Sequence, residues 1–217
     1  MTSAPQPVAP DPSRTEPVGE SRPAIPAFVN PAAGGAASAL DALARDSRFA
    51  IHEVTPDRLA ESASEALPRI VELRDRAYES DDVLLVYSND NFEQWSATRD
   101  ELVRNALEGE RPDLVEPIVP PGDVPFLPKG RHSVFYETPL SHLLHVHEVK
   151  RVVLCGQVTE QCIFYSALDA YLRGYDVEIP TDALAHIDPE FAKASLGMME
   201  RNLHAELRRA EEVELPG

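Results

Sequence analysis

Arg151-Val152-Val153-Leu154-Cys155-Gly156-Gln157-Val158-Thr159-Glu160-Gln161-Cys162-Ile163-Phe164 is the stretch on which the fold turns. Val152 to Cys155 are apolar without alternation, the pattern of a strand covered on both faces, as in a parallel sheet. Gly156 interrupts the run. Ile163, Phe164, Ala167, Leu168, Tyr171 and Leu172 then share one helical face, which Gly174 ends. A buried strand that passes through a short turn into an amphipathic helix is the repeating unit of an open α/β sheet.

Working outward, the unit recurs. Val83–Tyr87 is a second continuous apolar run, and Tyr175–Ile179 is a third strand. Leu59, Ala63, Ala66, Leu67, Ile70, Leu73 and Ala77 mark a long amphipathic helix that Pro68 is expected to kink or split. Thr98 and Glu101 form a capping-box pattern ahead of Leu102, Val103, Ala106 and Leu107. Thr138-Pro139 opens a helix carrying Leu140, Leu143, Leu144 and Val146, and Asp188-Pro189 caps a final helix expected to reach about Arg209. The expected fold class is α/β: three α/β/α layers around a mainly parallel sheet.

The amino-terminal quarter reads differently. Eight of the first 31 residues are proline, so residues 1–22 are expected to be a disordered leader. Residues 23–58 form an atypical segment, with short strands expected at Ala24–Asn30 and Phe49–Val54 and a helix at Ala36–Arg45. The main domain is expected over residues 59–210.

Composition narrows the function. Lys plus Arg number 20 against 37 Asp plus Glu, a formal charge of −17. So acidic a surface repels phosphate backbones and anionic lipid, and the tightest basic pairs, Lys150-Arg151 and Arg208-Arg209, stand alone. No apolar run approaches the roughly 20 residues that span a bilayer, and the start has no secretory pattern. Two cysteines fit a reducing cytoplasm better than a disulfide framework. The expectation is a cytoplasmic protein with a small-molecule partner, no nucleic acid and no membrane; a homo-oligomer is allowed.

Cys162 carries the chemistry. It stands where a buried strand hands over to a helix, and ligands collect at the carboxyl ends of strands in open α/β sheets. Unpaired amides and the helix dipole there favour thiolate over thiol, lowering the pKa from about 8.5, and can hold an oxyanion. From position alone, a nucleophile and an inert buried cysteine are equally compatible. Cys155, inside the strand, is expected to be inert core.

The run from Val152 through Thr181-Asp182-Ala183 resembles the isochorismatase-like cysteine hydrolases: a strand, Gly156-x-x-Thr159-x-x-Cys162, then the helical Ala167-Leu168-Asp169-Ala170. The likeness extends back to about Ala60 and takes in Val83–Asn91 and Lys129-Gly130-Arg131-His132-Ser133. It implies a Cys, Lys and Asp triad on a six-stranded parallel sheet, with Cys162 as nucleophile and Lys129 as the cation beside it. It also implies a non-proline cis peptide at Gln157–Val158 and an oxyanion hole from the amides of Val158 and Cys162.

The resemblance puts the triad carboxylate at the end of a first strand, and no matching segment exists here. Residues 23–56 instead resemble the start of a diacylglycerol-kinase-type domain (Phe28-Val29-Asn30-Pro31-Ala32-Ala33-Gly34-Gly35), without the glycine-rich nucleotide loop that should follow. If Phe49–Val54 fills the first-strand slot, Glu53 or Asp57 is the replacement base, with Asn30 a poorer one. Asn91, Trp95 and Tyr165 are the candidate pocket residues. Some relatives hold a metal after the second strand, but Asn89-Asp90-Asn91-Phe92-Glu93-Gln94-Trp95 has no histidine, so neither metal nor other cofactor is expected. His142, His145 and His147 read as a solvated helix face. The expected function is hydrolysis of a C–N bond in a small amide through a thioester at Cys162. The alternative is a catalytically impaired binding scaffold that has lost the carboxylate.

Overall fold

Seven parallel strands organise the computed structural model, which describes residues 25–29, 56–91 and 94–215, with side chains from Leu59 onward. They are β1 (Ile25–Val29), β2 (Val86–Asp90), β3 (Phe126–Lys129), β4 (Arg151–Gln157), β5 (Asp176–Pro180), β6 (Leu184–Ala185) and β7 (Glu206–Arg208). The sheet order is β3-β2-β1-β4-β5-β7, with β6 beside the carboxyl end of β4 through Gly156–Leu184 and Gln157–Ala185. Six helices connect them: α1 (Pro56–Glu79), α2 (Arg99–Leu107), α3 (Pro112–Val115), α4 (Leu140–Val146), α5 (Phe164–Leu172) and α6 (Pro189–Leu203).

Side-chain alternation along β4 divides the core. Val153 and Cys155 join Leu85, Tyr87 and the α1 stripe Ala63, Ala66, Ile70, Leu73 and Ala77 on one face. Val152 and Leu154 join Val86, Val177 and Ile179 under Leu144 of α4, Ala167 of α5 and Met199 of α6 on the other. Both faces of the central strand are therefore covered, which is why it carries no polar alternation. The architecture is three-layer α/β/α, as expected.

Four sequence expectations are corrected. The slot between β2 and β4 is filled by Ile25–Val29, which pairs with both neighbours, rather than by Phe49–Val54. Helix α1 is not split: Pro68 lies inside 24 continuous residues, because buried apolar positions on both sides of it outweigh one lost hydrogen bond. The Val83–Tyr87 strand begins later, at Val86, and runs on to the polar Asp90. The last helix stops at Leu203, where His204 adopts a left-handed conformation (φ 55°), and residues 206–208 add an edge strand to β5. The capping box at Thr98 and the Gly174 stop (φ +81°) are both present. The leader 1–22, the Ala36–Arg45 helix and the Phe49–Val54 strand lie outside the described residues. No described helix is long and apolar enough to cross a membrane.

Candidate active site

Strand register assembles the site. Asp90 and Lys129 end neighbouring parallel strands as register partners, so their side chains leave the sheet side by side. Lys129 is fully buried, and a buried ammonium requires a partner. Asp90 Oδ2 provides it at 2.7 Å. The backbone secures the pair from behind, as the Asn91 amide donates to the Lys129 carbonyl at 2.8 Å.

Cys162 arrives from the third element. After β4 the Gln157–Val158 peptide is cis, as the resemblance implies, and Thr159–Ile163 form a π-helical turn that leads into α5. Thr159 Oγ1 donates to the Ala185 carbonyl at 2.9 Å and so ties this turn to β6. Glu160 Oε1 accepts from the amides of Ile187 and Asp188, both at 2.9 Å, which fastens the turn to the loop before α6. Held at two points, the turn places Cys162 Sγ 3.5 Å from Lys129 Nζ and 4.0 Å from Asp90 Oδ2. His132 Nδ1 lies 3.9 Å away on the loop after β3.

The electrostatics differ from the sequence expectation. Burial pushes the Cys162 thiol up and Asp90 adds to this, while Lys129 and a hydrogen bond from the Val158 amide favour the thiolate. Cys162 is only 6% exposed, so loss of water outweighs the cation and the amide. The balance favours the thiol over the thiolate, so the chemistry calls for a base near sulfur. His132 is pushed down, first by burial and then by Lys129 and Arg131, against an opposing pull from Asp90. Its imidazole is neutral at pH 7.

The other named residues divide. Asn91 is buried directly beyond Asp90. Trp95 is 77% exposed, with its indole over Gly130, where a Cβ would come within 2.6 Å of the ring. Tyr165 is also exposed, and its ring lies against that of His132 with centroids 5.4 Å apart. Glu53 and the Asp57 side chain lie outside the described residues. His142, His145 and His147 are all solvent-exposed. Among the described residues no three His, Cys, Asp or Glu side chains converge as metal ligands. Sequence reasoning missed Asp90 and His132 as neighbours of the thiol. In the sequence Asp90 reads as part of the polar turn after Val83–Tyr87.

Residues 50–212 match the Isochorismatase domain. The chain belongs to the isochorismatase family. The uncharacterized isochorismatase family protein YaaI of Bacillus subtilis is 31% identical over 157 residues, 72% of this chain and 86% of the relative. Ureidoacrylate amidohydrolase RutB of an Enterobacter species is 38% identical over 85 residues, 38% of this chain and 36% of its own. The fold is shared with an isochorismatase-like hydrolase from Alkaliphilus metalliredigens (TM-score 0.63, 19% identity, 87% of this chain and 95% of that one). It is shared too with N-carbamoylsarcosine amidase from Thermoplasma acidophilum (TM-score 0.60, 21% identity, 88% and 98%). The resemblance of residues 23–56 to a diacylglycerol-kinase-type start receives no support. Ile25–Val29 is instead an inner strand of the hydrolase sheet.

Proposed function

We propose that this isochorismatase-family hydrolase cleaves a C–N bond of a small amide through a thioester at Cys162. One observation carries the reading: a buried thiol, a buried lysine and a carboxylate meet within 4.0 Å at the carboxyl ends of β2, β3 and β4. Relatives in sequence and fold include an amidohydrolase and an amidase, which supports amide cleavage.

The geometry supports the following course. Asp90 Oδ2 takes the Cys162 proton, and the sulfur attacks the amide carbonyl carbon. Lys129 offsets the negative charge that would otherwise be buried with the thiolate. The amides of Val158 and Cys162 receive the oxyanion, a contribution of about 10²–10³-fold per donor in comparable sites. As the C–N bond breaks, Asp90 returns the proton to the leaving nitrogen and a thioester remains. Water then attacks the acyl carbon, the C–S bond breaks, and the carboxylic acid leaves with the thiol restored. Trp95 over Gly130, Tyr165 against His132 and Asn91 next to Asp90 would shape the substrate. The scaffold alternative was motivated by a missing carboxylate, and Asp90 weighs against it.

The test is a panel of nicotinamide, N-carbamoyl and simple primary amides on wild type, Cys162→Ala and Asp90→Asn. Turnover by wild type is expected to vanish in Cys162→Ala and to fall about 10²–10⁴-fold in Asp90→Asn, the range for a placed acid–base group. Turnover that survives Cys162→Ala refutes the thiol route. Turnover lost with Cys162 but indifferent to Asp90 returns the search for the base to Glu53 and Asp57.

A further inference from the structure

Asp90 is not the only proton acceptor at the sulfur. His132 Nδ1 stands 3.9 Å from Sγ, on the loop that follows Lys129. The two candidates differ in engagement. The Asp90 oxygen that faces sulfur is the same one that takes the Lys129 ammonium at 2.7 Å. His132 is exposed as a whole but part-buried where it faces sulfur, and its ring lies against the Tyr165 ring of α5 at an interplanar angle of 31°.

Resting on the thiol-hydrolase reading, we propose that His132 is a catalytic acid–base residue that serves the second half-reaction, the attack of water on the Cys162 thioester. Sulfur carries the acyl group at that stage, so a base within about 4 Å of sulfur also lies within one water of the acyl carbon. Water oxygen bonds to that carbon and its proton passes to His132 Nδ1. The C–S bond breaks, its electron pair returns to sulfur, and His132 hands the proton back to the thiolate. The products are the carboxylic acid, the thiol and a neutral imidazole, so no co-reactant is needed. The groups facing the ring are Cys162 and Tyr165 from the turn and α5, Asp90 from β2, and Lys129 and Arg131 from β3 and its loop. The neutral state required at pH 7 agrees with the balance of burial and cations described above.

The experiment uses 4-nitrophenyl acetate, whose leaving group needs no proton, so that acylation and deacylation separate. Wild type should release a burst of nitrophenolate and then turn over steadily. His132→Gln and His132→Asn should keep the burst, lose about 10²-fold in the steady rate and accumulate acetyl-Cys162 by intact mass. The steady rate of wild type should fall as pH drops through the imidazole, and this limb should disappear in both variants. An unchanged steady rate, or a burst slowed as much as the steady phase, overturns the proposal. A burst that persists in Cys162→Ala condemns the thiol reading itself, a result distinct from either.

Discussion

The parallel sheet buries charge at two places and uses it in two ways, at the amino end of β4 and at the carboxyl ends of β2 and β3. At the amino end Arg151 pairs with Glu178 at 3.0 Å, and Arg208 reaches the other Glu178 oxygen at 3.1 Å. Glu178 is 1% exposed, and two partly exposed guanidinium groups cover it. At the carboxyl end the buried group is a cation, Lys129, with one carboxylate, and a thiol stands 3.5 Å away. The first cluster pairs strand to strand across β4, β5 and β7 by charge, without a hydrogen bond to either buried Glu178 oxygen. In the second, the Asp90 oxygen that takes Lys129 also lies 4.0 Å from the Cys162 sulfur, so the pair borders a reactive group. A buried ion pair is thus structural or chemical according to what stands beside it.

Lys129 gives the sharpest way to break that contrast. Lys129→Met keeps the bulk of the stem, removes the charge, and leaves Asp90, which is 35% exposed, for water to solvate. If the cation serves chemistry, kcat/KM should fall about 10²–10³-fold, the loss typical of one electrostatic stabiliser. The folded state should survive, as read by circular dichroism and thermal melting. An active Lys129→Met would make the carboxyl-end pair as structural as the amino-end one.

The two cysteines measure the same difference with a smaller effect. Cys155 lies inside β4 and burial alone pushes its thiol well up, whereas Cys162 has Lys129 and the Val158 amide to set against burial. Limited iodoacetamide treatment of the native protein should label Cys162 and spare Cys155 until unfolding. Because burial wins at Cys162, labelling should speed up as pH rises above the ordinary thiol range, and only at still higher pH in Lys129→Met. Preferential labelling of Cys155 on peptide mapping would reverse the assignment.

Much of this was legible in residues. The unbroken apolar run of β4 and the helical face behind Cys162 announce the layer architecture, and Gly156-x-x-Thr159-x-x-Cys162 announces the turn. What stayed hidden depends on register. Phe126-Leu127-Pro128-Lys129 is a four-residue strand containing proline, too short to read as one, yet it sets Lys129 beside Asp90. Once that strand is overlooked, Asp90 looks like part of a turn and the carboxylate is sought elsewhere. Residues 206–208 fail in the opposite direction. Leu207 continues the helical spacing from Leu203, and only the left-handed backbone at His204 ends the helix. Local spacing records which face is apolar; it does not record which strand end meets which.

The smallest effect belongs to Glu178, and it tests what the amino-end cluster contributes to the fold. Burial raises this carboxyl despite pulls from Arg151 and Arg208 in the other direction. A carboxyl raised in the folded state binds its proton there before it does in the unfolded chain, so folding gains as pH falls through the raised value. Below the unfolded value both states are protonated and the gain stays complete. Glu178→Gln removes that titration and leaves two arginines that are 30% and 44% exposed, which water can solvate. At neutral pH the variant should therefore lie within about 1 kcal/mol of wild type, far below the 3–5 kcal/mol of a charge stranded in the dark. The difference should shift in favour of wild type as pH is lowered towards the ordinary glutamate range, read as paired melting temperatures across a pH series. A shift in favour of the glutamine variant on acidification would mean that the arginines hold the carboxylate below its usual range, and that the amino end of β4 stores ion-pair energy instead of merely burying a balanced charge.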